Sequence, residues 1–508
     1  MDREISFEKI ALIADPIHNY IPFTVPCEGE SEVTEKEIID SPWVQRLRYI
    51  NQLQSARWVY PSAEHSRFVH SLGTMHVAGR FAKQIYPSLS ALYPDCPSFC
   101  FIEGLLRLVG LLHDIGHGPF CHFFDHHFLK QYHLTHEMMG QTIVLNALSP
   151  LIRKIKRSVS GDFAPGEKID PRQIAYLMDK SPTSVGSGPA ISPHPIPLPV
   201  GEGWGEGKGK ERLAKSQALL SPVTTWPGRS PSAQEWLVVL KPLFSGIFTV
   251  DNLDYVLRDA YMCGVAIGPV DLDRLMHYTF CTKHGLTLHK NGLPALRMFL
   301  NARSYLYSNV YNHRTTRAID AHLQDIFPET MQEIFPYHPV KKLDKYLGLT
   351  DWSLLSTVRS WETARSPKRK HLFLEWKKIL LRDVKWKMAY EHTFAPLGNQ
   401  WKKINEADLE RAIRRHLPKA DQRLPFRVDI ASQDPRPMNP LTMGDRQIYI
   451  YNPSSRSVSK EALMEFLDSL PATLIQCRVF AHDHERDPLL SQAADQSLQL
   501  FLMEKKGQ

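Results

Sequence analysis

The run Leu105 to Leu112 is almost continuously apolar, which predicts a buried helix, and it ends on the pair His113-Asp114. The surrounding string reads Leu111-Leu112-His113-Asp114-Ile115-Gly116-His117-Gly118. Burying an imidazole and a carboxylate side by side is costly unless another charge compensates, and a divalent cation does so economically. Adjacent His and Asp are common in proteins, so the pair acquires meaning only if other ligands are expected nearby.

Two further segments supply them. Arg67-Phe68-Val69-His70-Ser71-Leu72-Gly73 opens a helix that carries His70. Thr249 to Asp259 reads as a helix on which Asp251, Tyr255 and Asp259 recur every four residues and share a face, with Leu253, Val256 and Leu257 turned inward. His70, His113, Asp114 and Asp251 thus offer two imidazoles and two carboxylates. That set suits Mn, Mg, Fe or Zn and leaves positions open for water and a substrate oxygen.

In its order of ligands the chain resembles the HD-domain phosphohydrolase superfamily. Arg46-Leu47-Arg48-Tyr49-Ile50-Asn51-Gln52-Leu53, the His70 segment, His113 to His122, and Asp254-Tyr255-Val256-Leu257-Arg258-Asp259 are similar to deoxynucleoside triphosphate triphosphohydrolases, above all to the branch with the animal SAM-and-HD-domain enzyme. The resemblance implies a metal-dependent enzyme that converts a dNTP and water to deoxynucleoside and inorganic triphosphate. It implies that His122, Asp125 and His136 form a relay beside the metal and that His117 touches phosphate. His122, held by Asp125, is the expected acid or base. Arg67, one turn before His70, is placed to clamp a phosphate oxygen. Arg303, Tyr307 and Tyr311 share a helical face; by resemblance Arg303 binds triphosphate and Tyr311 packs on the sugar. Gln52 and Asp259 match contacts to the 3′-hydroxyl, and Tyr255 a phosphate or sugar contact.

Two departures stand out. The lysine that follows the metal aspartate in the animal branch is Asn252 here, so that charge is missing. Asp40, Gln45 and Arg48 match residues that grip an activating guanine nucleotide, but a basic residue of the early strand is replaced by Ala11. Activation by a guanine nucleotide is therefore an open expectation, as is the homo-oligomer that the resemblance implies.

The remaining composition bounds rather than identifies. A chain of 508 residues with 43% hydrophobic content can bury a large core. Its net charge of +7 suits anionic ligands without implying nucleic-acid binding. Seven cysteines without a CxxC pair read as reduced thiols. No signal pattern and no apolar run near bilayer-spanning length are expected, which points to a cytoplasmic protein with no membrane partner. Helices are expected near 68–86, 101–113, 136–148, 246–262, 294–325 and 341–392, with strands at 426–430 and 447–451. The expected fold is mainly α: an HD phosphohydrolase domain over 1–335 and an accessory helical and mixed α+β region over 336–508. Within 182–232, 17 of 51 residues are proline or glycine, which reads as a disordered insertion, or else a proline-rich docking segment. Two other functions fit such a scaffold: a different nucleotide phosphohydrolase or phosphodiesterase, and a regulatory nucleic-acid binder using Lys368-Arg369-Lys370 and Lys377-Lys378.

Overall fold

A computed structural model describes residues 9–27, 32–180, 235–394, 405–433, 447–470 and 474–503. The expected insertion at 182–232 lies outside them. The fold is mainly α, with small sheets at its margins.

Two helices form the centre. Arg67–Leu92 starts after Ser66, and Phe99–Leu112 starts after Ser98, whose hydroxyl accepts from the Phe101 N–H at 3.3 Å. Every residue from Phe101 to Leu112 is buried. The pair packs tightly because Gly110 has no side chain: a Cβ there would stand 2.7 Å from the Thr74 carbonyl oxygen. This close approach carries His113, at the end of one helix, to His70 on the other. Val250–Cys263 packs across the first helix and begins with a capping box between Thr249 and Asn252. Ser41 also caps as its sequence suggests, with Pro42 at the first helical position.

A hairpin of Ile10–Asp15 and Asn19–Thr24 lies on this core. A second sheet joins Thr279–Thr282 to Gly285–His289, and the latter pairs in parallel with Tyr449–Asn452. The main hydrophobic core is continuous across residue 335, taking in Tyr346, Leu354 and Trp376, and it regains the chain at Ile448–Leu470. A satellite core sits between a three-stranded sheet (Lys387–Phe394, Leu474–Ala481, Phe426–Gln433) and the helices Glu406–His416 and Asp487–Met503.

Three expectations need correction. The long helix expected over 341–392 is broken into Leu343–Leu347, Asp351–Ser360 and Pro367–Leu380, then ends near Arg382, whose φ is +63°; Lys387–Phe394 is a strand. Cross-strand pairing with Leu474–Ala481, far away in sequence, decides that segment. The apolar stretch Glu235–Cys263 is after all long and apolar enough to cross a bilayer, but its most apolar 18-residue window, of mean hydropathy 1.3, is 94% buried inside the protein. It is core, split into Glu235–Leu240, Pro242–Ser245 and Val250–Cys263. The strands at 279–289 were not foreseen.

Candidate active site

The side chains expected to hold a metal converge. His70 Nε2 stands 3.2 Å from His113 Nε2, 3.2 Å from Asp251 Oδ1 and 3.7 Å from Asp114 Oδ2. His113 Nε2 is 3.3 Å from Asp114 Oδ1 and 3.5 Å from Asp251 Oδ1. Ligands about 2.1 Å from a shared ion stand roughly 3.0–3.4 Å from one another; three of these spacings fall in that range, and the two at 3.5 and 3.7 Å need only a small inward shift to close on one cation. The tautomers fit as well. His70 Nδ1 pairs with Asp254 Oδ2 at 2.8 Å and His113 Nδ1 donates to the Gly110 carbonyl at 2.7 Å, which leaves both Nε2 lone pairs facing inward. Two lone pairs and two carboxylates around one point call for positive charge. Burial opposes charging His70, yet hydrogen bonds to Asp251 and Asp254 outweigh it and push its pKa up to about 10; a cation would displace that proton. Asp114 and Asp251 stay ionised despite burial, the first held by Arg67 and the second by Lys180.

A second cluster lies alongside. Gly116 lets the HD turn rest on the helix His136–Ile143, since a Cβ there would fall 2.0 Å from the His136 carbonyl oxygen. His117 stacks on His136 with ring centres 3.8 Å apart, and His122 meets both rings edge-on. Asp125 Oδ2 accepts from His136 Nδ1 at 2.5 Å and lies 3.5 Å from His122 Nδ1. His136 also faces Glu137, at 3.1 Å; burial opposes its charging, but Glu137 and Asp125 raise its pKa. His117 is fully buried, and burial followed by the nearby Arg67 charge keeps it neutral. Among the described residues, neither of its ring nitrogens has a hydrogen-bond partner. His117 Nε2 stands 3.4 Å from Asp114 Oδ1, between the two clusters.

A cleft of about 760 Å³, its open mouth included, runs from this centre. Its lining includes Arg67, Asp114, His122 and Asp251 together with Gln52, Tyr255, Asp259, Tyr307 and Tyr311; Asp251 and Asp259, eight residues apart on the helix Val250–Cys263, mark two ends about 12 Å apart. Arg67 bridges Asp114 and the Cys121 thiol. At the far end the Tyr311 hydroxyl donates to Asp259 at 2.6 Å, and Tyr255 and Tyr307 join hydroxyls at 3.3 Å. The buried Oε1 of Gln52 has no partner among the described residues. Arg303 is buried against Tyr307. The regular helix expected through Arg303 and Tyr311 gives way at Tyr307–Tyr311 to a π-turn, a distortion frequent at functional sites, and it swings the two tyrosine rings into edge-on contact. Away from the cleft, Arg48 donates to Gln45 at 2.7 Å and stacks on Phe68, while Asp40 pairs with Lys36.

Residues 67–181 match the HD domain family model. That stretch of the chain is similar to HD domains. The chain is 24% identical over 376 residues to the uncharacterized protein YwfO of Bacillus subtilis, covering 71% of this chain and 67% of that one. It is 29% identical to the uncharacterized protein MJ1154 of Methanocaldococcus jannaschii, across 64% of this chain and 51% of the relative. Against deoxynucleoside triphosphate triphosphohydrolase SAMHD1 of Bos taurus it is 27% identical, across 63% of this chain and 47% of that enzyme. The chain thus spans about half to two thirds of the length of these relatives. In fold it is similar to the crystal structure of a hypothetical protein from Aquifex aeolicus, with a TM-score of 0.58 at 21% identity, covering 96% of this chain and all of that one. HD domains bind divalent metals, and the His/Asp clusters here could hold one.

The HD turn is held by residues that spacing did not single out as functional. Asp351 accepts from the backbone N–H of Asn51 at 2.7 Å and of Phe120 at 2.6 Å, tying the Gln52 loop to the turn. The Tyr346 hydroxyl donates to the Gly116 carbonyl at 2.7 Å. Lys180 reaches Asp251 Oδ2 at 3.4 Å from the other side. Burial lowers the affinity of Lys180 for its proton, but Asp251 and Glu137 more than restore it. The side chain of Asn252 is spent on the cap of its own helix. A buried cation beside Asp251 is therefore present after all, brought in from another element that one-dimensional spacing could not connect.

Proposed function

We propose that this protein hydrolyses deoxynucleoside triphosphates to deoxynucleoside and inorganic triphosphate. The observation that carries the reading is the convergence of His70, His113, Asp114 and Asp251 on one point at the end of a cleft whose other end is lined by Gln52, Asp259 and Tyr311. A divalent ion held there supplies a Lewis acid and lowers the pKa of water. The remaining steps fall to side chains. Arg67, Lys180 and Arg303 neutralise phosphate charge, and neutral His117 donates to a phosphate oxygen. Water attacks the α-phosphorus, the bond from phosphorus to the sugar O5′ breaks, and His122, steered by Asp125, delivers the proton that O5′ takes up. Asp259 and Gln52 receive the 3′-hydroxyl, and Tyr311 packs on the sugar, where a 2′-hydroxyl would crowd it.

Named triphosphohydrolases among the relatives support this reading. The nucleic-acid alternative loses support from the basic helix Pro367–Leu380, where Lys368 and Arg369 pair with Glu333 and Lys378 pairs with Glu375. We further propose a cytoplasmic homo-oligomer, with Asp40, Gln45 and Arg48 open to a guanine-nucleotide activator.

The test is incubation of purified protein with each dNTP and rNTP plus Mn or Mg, with products separated by anion-exchange chromatography. Inorganic triphosphate released from dNTPs is expected. Release of pyrophosphate or orthophosphate instead would assign the scaffold to another phosphohydrolase. Added GTP or dGTP that leaves the rate unchanged removes the activator.

A further inference from the structure

The turn between the strands Ile10–Asp15 and Asn19–Thr24 reaches beneath the metal centre from the start of the chain. Asp15 Oδ1 accepts from the backbone N–H groups of Ile17 and His18, each at 2.9 Å, which sets the direction of the His18 side chain. His18 Nε2 then meets Asp254 Oδ1 at 2.7 Å, in a pair that is nearly solvent-free.

Asp254 is the hub. Both of its oxygens face the Arg258 guanidinium in a bidentate ion pair. A carboxylate paired in this way can only accept, so His18 Nε2 and His70 Nδ1 both carry hydrogen. Oδ1 receives His18 Nε2 and Arg258 Nη2, at 2.7 and 2.9 Å; Oδ2 receives His70 Nδ1 and Arg258 Nε, both at 2.8 Å. That fills the acceptor capacity of the group. Arg258 is tied back to Asp15 at 2.8 and 3.3 Å, closing a ring that runs from the turn to Asp254 and returns. Gly73, one turn after His70, makes the contact direct: a Cβ there would lie 1.9 Å from Asp254 Oδ1 and 2.4 Å from Arg258 Nη2.

On the reading of His70, His113, Asp114 and Asp251 as ligands, we propose that the N-terminal turn is a positioning element of the metal centre, with His18 and Asp15 locking Asp254 so that His70 presents Nε2 to the ion. His18 touches neither substrate nor ion. Its role is to remove the freedom of the carboxylate that fixes the His70 ring and tautomer. Loss of such outer partners typically weakens metal binding by about 10–100-fold.

Titration of the full chain with Co(II), followed by its visible absorption, reads this without turnover, and circular-dichroism melting reports the fold. His18→Ala is expected to weaken Co(II) binding by about 10–100-fold and to alter the cobalt spectrum. His18→Gln, which keeps an N–H donor, is expected to recover most of both. Wild-type affinity and spectrum in a folded His18→Ala overturn the proposal. If that variant does not fold, Asp15→Asn decides: it loosens Arg258 and the turn while keeping the His18 ring, and unchanged Co(II) affinity is again the overturning result. A wild-type protein that binds no Co(II) sinks the metal reading itself, and the two failures are thereby told apart.

Discussion

The two ends of the cleft are built on different principles. At the end proposed to hold the metal, every expected ligand is braced by a second protein group: His70 by Asp254, His113 by the Gly110 carbonyl, Asp114 by Arg67, and Asp251 by Lys180. At the end proposed to receive the sugar the surfaces are mostly aromatic, one tyrosine–carboxylate hydrogen bond dominates, and the Gln52 Oε1 has no partner among the described residues. The first arrangement fixes charges in space before any ligand arrives, as the proposed chemistry at phosphorus demands. The second leaves shape and an unfilled polar atom, which suits selection among similar ligands. Changes at the metal end should therefore remove the reaction, and changes at the sugar end should redirect it.

The largest effect tests the first half of that contrast. His113→Ala or Asp114→Asn is expected to reduce triphosphate release to background and to remove bound metal, measured by chromatography and by metal analysis of the purified variants. A variant that keeps both activity and metal would break the equivalence between rigidity and catalysis at this end. Next, His122→Ala is expected to lower kcat by about 10²–10⁴-fold with metal content retained, because a proton donor contributes about that much. Steady-state kinetics with metal analysis checks it. Loss of metal in this variant would make His122 a ligand instead of a proton carrier.

Lys180, the brace of Asp251, tests whether that cation also serves the phosphates. Lys180→Gln is expected to lower kcat/KM by about 10–100-fold, the range of one charge-assisted hydrogen bond. Kinetics on the nucleotide triphosphate and on inorganic triphosphate as a competing inhibitor check it, and equal inhibition of both proteins would take Lys180 away from the phosphates. At the sugar end, Tyr311→Ala is expected to leave dNTP turnover measurable while reducing the preference for dNTP over rNTP by about tenfold or more, since apolar crowding is a modest discriminator. Paired kcat/KM values for dATP and ATP read it. Unchanged preference would mean that the aromatic end does not sort sugars.

How far the sequence discloses these two ends differs in the same way. The convergence of His70, His113, Asp114 and Asp251 is the more legible feature, because these residues sit in local patterns such as the apolar run before His113. The sugar end needs the π-turn at Tyr307–Tyr311, and no periodicity announces a change in helical pitch. The bracing set was least visible. Asp351, Tyr346, Lys180 and His18 come from segments remote in sequence, and each meets the site through a long-range contact that only tertiary packing creates. The same limit explains Lys387–Phe394, whose strand pairing lies some ninety residues further along the chain.

The smallest effect concerns what lies under the sugar end. Ser55, in the loop that bears Gln52 and Gln54, donates to Asp320 on the helix Arg314–Ile334. Burial pushes the Asp320 pKa up from 3.8 to about 6, with Arg317 opposing. A carboxyl whose folded pKa is raised binds its proton more tightly in the native state, so its contribution to stability is full below about 3.8 and is lost as pH rises through about 6. Asp320→Asn keeps an acceptor for Ser55 and removes the charge. Thermal melts of the variant and the wild type are expected to differ little in acid and to separate as pH rises through about 6, with the variant melting higher. A metal-end carboxylate such as Asp114, whose pKa lies well below the usual range, shows the opposite sign, losing its contribution only in strong acid. If the Asp320 gap does not change with pH, the charge under this end is already compensated, and the two ends of the cleft are braced more alike than their contacts suggest.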